Sequence, residues 1–136
     1  MKNRISIFIL YCFLAACSTE TSINQPDTNE QTASFSFIEK NVFRTRCAFS
    51  GCHASDTKSA NLDLSTTNAY SNLVNVKSIL STEGLNRVEP GNSQTSFLIK
   101  VLDGSNPTKM PLNGAPLDQE TIDLIAKWID EGAQNN

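Results

Sequence analysis

Apolar residues fall in four helical stripes separated by polar stretches. Phe35, Ile38, Val42 and Phe43 recur at steps of three to four, which predicts a helix ending near Arg46, with Ser34 or Ser36 as its cap. Ala69, Tyr70, Leu73 and Val74 repeat the pattern over a shorter helix, with Ser65 or Thr66 placed to cap it. The turn signal Val88-Glu89-Pro90-Gly91 follows. Behind it, Ser93 opens a third helix carrying Phe97, Leu98, Val101 and Leu102. The last stripe is the clearest: Ile122, Ile125, Trp128 and Ile129, with Asp118 as N-cap and Gly132 as C-cap. Strand-like alternation is nearly missing. The expectation is a small all-α domain over residues 35–133, held together by long loops and followed by a short tail, 134–136.

Ahead of the stripes the pattern changes. Lys2 and Arg4 precede the apolar run Ile5–Leu14, and Ala15 and Ala16 follow it. A basic start, a short apolar stretch and a small-residue exit read as a signal peptide over residues 1–16, which takes Cys12 with it. The stretch Leu14-Ala15-Ala16-Cys17 resembles the lipobox of bacterial lipoproteins. That resemblance implies cleavage before Cys17, a lipid on its sulfur, and a protein anchored to a membrane on the periplasmic side or at the cell surface. Ser18, where an Asp favours inner-membrane retention, leans the expectation toward the outer membrane. The competing reading is a plain secreted protein whose cleavage site happens to carry a Cys. Residues 17–34 comprise Cys17 and a Ser-, Thr-, Asn- and Gln-rich segment that predicts a disordered tether of roughly 20–25 Å. No apolar run reaches the roughly 18 to 20 residues that span a bilayer.

Composition sharpens the picture. Eleven basic residues face fourteen acidic ones, a net charge of −3. Losing Lys2 and Arg4 with the leader leaves nine against fourteen, or −5. A nucleic-acid partner of the basic-patch kind is therefore not expected. Much of the 39 % hydrophobic content lies in the leader. A core this lean suggests that something other than side chains helps fill it.

Once Cys12 and Cys17 are set aside, Cys47 and Cys52 remain, in Cys47-Ala48-Phe49-Ser50-Gly51-Cys52-His53. Covalent haem attachment needs two thiols for thioethers and an imidazole that reaches iron from one face. A His directly after the second Cys supplies the latter. The usual motif is C-x-x-C-H. Here the gap is four residues, so two extra residues must bulge out, and Gly51 tolerates the positive φ such a loop needs. Two other readings compete: a Cys47–Cys52 disulfide in an exported protein, and a zinc site, which is short of ligands.

Met110 is the only Met left after the leader and sits in the Pro- and Gly-rich loop around Lys109-Met110-Pro111. A thioether is a soft iron ligand, and His/Met ligation raises haem potential. Pro111 stiffens the loop. Alternatively, Met110 simply caps the apolar interior. Arg87 and Lys100 read equally as partners of haem carboxylates or as solvated charges. Asp118, Glu120 and Asp123 read as the favourable acidic first turn of a helix rather than a paired-carboxylate site.

The order of these features resembles a monohaem cytochrome c domain of the class I type, as found in bacterial lipoproteins. It comprises an aromatic first helix, Cys47…Cys52-His53, Leu62-Asp63-Leu64, Val88-x-Pro90-Gly91, Met110-Pro111 and the Trp128-Ile129-x-x-Gly132-Ala133 ending. The resemblance spans residues 35–133 and implies three to five helices around one covalent haem c. It also implies that the first and last helices cross, with Phe35 or Val42 meeting Trp128 or Ile129. Cys47 and Cys52 would be the haem thioethers, with His53 and Met110 the axial ligands. The implied function is electron transfer rather than catalysis, with redox proteins as partners, alone or within a larger complex. The alternatives are a non-haem lipoprotein module with a Cys47–Cys52 disulfide, and a five-coordinate haem sensor or reductase.

Overall fold

The first stripe folds as one continuous helix with a widened middle. In the computed structural model, which describes residues 33–136, α1 (Phe35–Ile38) runs into a π turn at Glu39–Phe43 and on into α2 (Arg44–Arg46). Of the two candidate caps, Ser34 is used: its side chain accepts from the Phe37 N–H at 3.3 Å. The π turn has local causes. Asn41 donates to the Phe37 carbonyl at 2.8 Å and Thr45 to the Asn41 carbonyl at 2.6 Å, side-chain bonds that compete with the regular ladder and bend helices. Val42 and Phe43, neighbours in sequence, are both buried.

The second stripe gives α3 (Ala69–Leu73), with Asn68 at its cap position. Neither Ser65 nor Thr66 caps α3. Asp63, two residues earlier, organises the approach instead, accepting from the Ser65 N–H and the Asn68 side chain, each at 2.9 Å. The third stripe is also offset from expectation. Ser93–Thr95 form a 3₁₀ turn capped by Asn92, and α4 (Phe97–Leu102) begins only after Ser96. Ser93 is drawn away because its N–H and hydroxyl both bond the Asp130 carboxylate, at 2.7 and 2.9 Å.

The last stripe matches its expectation closely. In α5 (Gln119–Asp130) the Asp118 side chain accepts from the Thr121 N–H. At the far end Gly132, at φ +99°, follows Glu131. Ala133 N–H bonds the Trp128 carbonyl and Gly132 N–H the Ile129 carbonyl, both at 2.9 Å, which is the Schellman arrangement.

These helices pack around one core, in which the first and last helices of the described residues meet. Phe35 lies against Trp128 with ring centroids 5.5 Å apart, and against Tyr70 edge-on at 5.1 Å. Trp128, Ile125 and Ile129 are essentially fully buried. The C-terminal segment fastens the contact: Trp128 Nε1 donates to the Gln134 carbonyl, and Asn136 accepts from the Phe35 and Ser36 N–H groups. Ala33 is buried in the same core. The described residues are mainly helical, and their only strand-like pairings are two isolated bridges, Val74 to Val88 and Lys77 to Asn86. No helix among them is long and apolar enough to cross a membrane. The expected signal peptide at 1–16, Cys17 and the tether through Thr32 lie outside the described residues.

Candidate functional site

The helix ending at Arg46 hands the chain directly to the cysteine loop. Cys47 and Ala48 N–H groups both bond the Phe43 carbonyl, and the His53 N–H returns to the Cys47 carbonyl at 3.2 Å. The loop is stitched from outside as well. The Gly51 N–H donates to Thr57 Oγ1 at 2.8 Å, while Asp56 accepts from Ser50 at 2.7 Å and from Thr57 at 3.0 Å. Gly51 adopts φ +84°, the conformation that the four-residue gap requires. The Ser59 N–H to Cys52 carbonyl and Leu64 N–H to His53 carbonyl bonds then tie the motif to the following segment.

His53 is half-buried, and its ring is oriented by the main chain. Nδ1 lies 3.3 Å from the Leu62 carbonyl oxygen. With Nδ1 as the donor, Nε2 keeps its lone pair, the form an imidazole needs to ligate a metal. Burial pushes the His53 pKa below the ordinary 6.5, and the Arg87 charge acts in the same direction against the Leu62 and Ser59 hydrogen bonds. Cys47 and Cys52 carry free thiols, Cys47 partly buried and Cys52 exposed. Burial raises the Cys47 thiol to about 11, with the Arg46 charge opposing it.

Met110 arrives from the other side. Its N–H donates to the Val101 carbonyl of α4 at 2.8 Å, and Arg46 Nη2 bonds the Ala115 carbonyl in the same loop at 2.8 Å. Between the two sides lies a cavity of about 160 Å³ within a cleft of about 820 Å³ of empty space, part of it open to solvent. Cys47, Cys52, His53 and Met110 all line it. Its walls are apolar, with Phe43 and Val42 from the first helix, Leu98 and Leu102 from α4, and Leu64 and Leu117 from the loops. A second, smaller cavity of about 50 Å³ shares His53, Met110, Leu62, Leu98 and Val101 and adds Arg87, Phe97 and Leu80. Thus all four residues picked from the cysteine motif and the lone loop methionine come to one place.

Other candidates fall elsewhere. Asp118 serves as the α5 cap, and its bonds to Thr121 lower its pKa. Glu120 and Asp123 are exposed on the same first turns. Lys100 lines neither cavity. Arg87 is buried, not solvated. Among the described residues, no group of three or more His, Cys, Asp or Glu side chains is assembled for a metal ion. The Leu62 carbonyl that orients His53 had no signal in the sequence, because a main-chain acceptor looks alike in every residue. Compared with known proteins, the chain matches no family model, no curated protein and no solved structure.

Proposed function

We propose that this domain carries one covalently bound haem c and works as a single-electron carrier, exported and held at a bacterial membrane through a lipid on Cys17. One observation carries the reading: two free thiols, an imidazole whose Nδ1 faces the Leu62 carbonyl and the only thioether among the described residues line one apolar cleft. The donor set fits the group. Cys47 and Cys52 would provide the thioethers, and His53 and Met110 the two axial ligands. When bound, the haem supplies one-electron chemistry at its iron, which the protein tunes through ligation and burial.

The chain's own residues do the rest. The Leu62 carbonyl fixes the His53 tautomer, and the Val101 carbonyl together with Arg46 holds the Met110 loop against α4 and α2. Leu64, Leu98, Leu102 and Leu117 give the cleft an apolar lining. A low-dielectric lining disfavours the extra positive charge of the oxidised state, and a thioether ligand acts in the same direction. With both axial positions supplied by the protein, electron transfer rather than binding of an exogenous ligand is the chemistry left.

The test is to express the full chain together with a cytochrome c maturation system. Mass spectrometry of the denatured protein is expected to show one added haem. An unmodified mass with a Cys47–Cys52 disulfide overturns the proposal. In the same preparation, Met110→Ala is expected to keep the covalent haem and to let the ferrous protein bind carbon monoxide readily. If the wild type already binds carbon monoxide as fast, Met110 only packs, and the five-coordinate reading replaces the electron carrier.

A further inference from the structure

Three left-handed residues fall within four positions, just ahead of the carbonyl that orients His53. Lys58, Ala60 and Asn61 have φ of 48°, 54° and 57°, and none of them is glycine. A residue with a Cβ is strained there, and alanine has no side chain to bond back to the main chain in return. Such strain persists only where the surroundings over-determine it. Its effect here is on direction. Along an extended strand successive residues face opposite ways. In this segment the carbonyls of Ala60 and Asn61 instead meet at one nitrogen, and that of Leu62 lies 3.3 Å from His53 Nδ1.

That nitrogen is Arg87 Nη2, which donates to the Ala60 and Asn61 carbonyls at 3.0 and 3.1 Å, while Nη1 donates to the Asn72 carbonyl at 2.7 Å. Arg87 is 7 % exposed, and among the described residues no carboxylate pairs with it. Its main chain is fixed on both sides. The Arg87 N–H donates to the Val76 carbonyl at 2.7 Å, and its carbonyl accepts from the Leu98 N–H of α4 at 2.9 Å. A planar guanidinium on a fixed backbone makes a rigid three-point template for carbonyls. The strained segment is also tied to the cysteine motif, through the Ser59 N–H to Cys52 carbonyl bond at 2.9 Å.

We infer that Arg87 is a positioning residue for His53: its guanidinium holds the left-handed segment 58–61 in the arrangement that turns the Leu62 carbonyl toward the imidazole. The consequence for iron rests on the haem proposal. A carbonyl that accepts from the far ring nitrogen makes an imidazole a stronger ligand. A stronger donor favours the ferric state, so losing the contact raises the midpoint potential.

Arg87→Lys in the full haem-loaded chain tests this, because lysine keeps the positive charge and lacks the planar fork that spans three carbonyls. Midpoint potential and solvent exchange of the His53 Nδ1 proton in the ferrous protein are the readouts. The chain holds one His, so its ¹⁵N-labelled ring gives a single set of signals. Arg87→Lys is expected to retain covalent haem, raise the potential and lose the protection of that proton. Glycine adopts positive φ freely, so adding Ala60→Gly to Arg87→Lys is expected to recover part of both effects. A folded, haem-loaded Arg87→Lys protein with wild-type potential and protection overturns the inference, as does a double variant that recovers neither. If Arg87→Lys does not load haem, the ferrous wild type decides. Its Arg87 Nη protons are expected to exchange slowly and to couple across hydrogen bonds to the Ala60 and Asn72 carbonyl carbons, and freely exchanging Nη protons overturn the assignment. A wild type without covalent haem defeats the underlying reading instead. In that protein the ring ¹⁵N shifts report the tautomer: Nδ1–H in the wild type and its loss in Arg87→Lys support the clamp, and the same tautomer mixture in both overturns it. The two failures are thereby distinguishable.

Discussion

At the scale of single residues, the carboxylates divide by what they cap. Asp63 is buried, and the hydrogen bonds with Ser65, then that with Asn68 and the nearby Lys58 charge, hold its carboxyl at about 2 against an ordinary 3.8. A carboxyl whose folded pKa is depressed stabilises the fold above its unfolded pKa and loses that contribution as pH falls through the folded value. The Asp63 contribution is therefore complete above about pH 4 and fades toward pH 2. Thermal melts of the wild type are expected to fall across that window. Asp63→Asn should melt lower at pH 5 and lose less on acidification. An unchanged slope in the variant would assign acid sensitivity elsewhere, to Asp56 and Asp118, whose pKa values are also lowered. The contrast with Asp118 shows what sequence makes visible. Asp118 stands just before a long amphipathic stripe, so its capping role is legible. Asp63 precedes a helix of five residues and is separated from it by a turn, so Ser65 and Thr66 looked equally suited.

The elements show the same division. Long stripes with a single face were readable in type and extent: α5 starts and ends where Asp118 and Gly132 place it. The first helix was readable in length but not in pitch, because a π turn differs from an α turn by one residue and side-chain spacing is too coarse to register it. That widened turn is separated from Cys47 only by the short α2, and both Val42 and Phe43 line the wall of the cleft. The meeting of the first and last helices of the described residues rests on a contact no local pattern encodes, Phe35 on Trp128. Trp128 is 1 % exposed and also bonds the Gln134 carbonyl. Truncating a core aromatic of this size costs about 3–5 kcal/mol. Trp128→Ala is therefore expected to lose that much in urea denaturation, with a matching drop in melting temperature. A loss below about 1 kcal/mol, the level of an ordinary surface change, would mean that this contact contributes little and that the cleft walls carry the stability.

For the molecule as a whole, the proposed anchor lies outside the described residues. Every core residue and every cleft-lining residue named here lies between Ala33 and Ala133. The N-terminal end of this region is closed by its own C-terminal segment, with Asn136 accepting from Phe35 and Ser36. What the sequence concealed at this scale is the meeting of segments far apart in the chain. Cys47 and Met110 are read as a pair only by analogy until the cleft joins them. Arg87 reads equally as a partner of haem carboxylates or as a solvated charge until the carbonyls of residues 60, 61 and 72 enclose it. Several acyl chains hold a protein at a membrane far more firmly than one, since each buried CH₂ contributes about 0.8 kcal/mol, so removing their attachment point should change location and nothing else. Cys17→Ser is expected to move the protein from the membrane pellet to the soluble fraction or the medium. Its melting temperature and covalent haem content should stay at wild-type values. A variant that remains in the pellet would show that something other than Cys17 holds the chain there. A variant that is released but has lost its haem or its stability would show that the region ahead of Ala33 supports the domain.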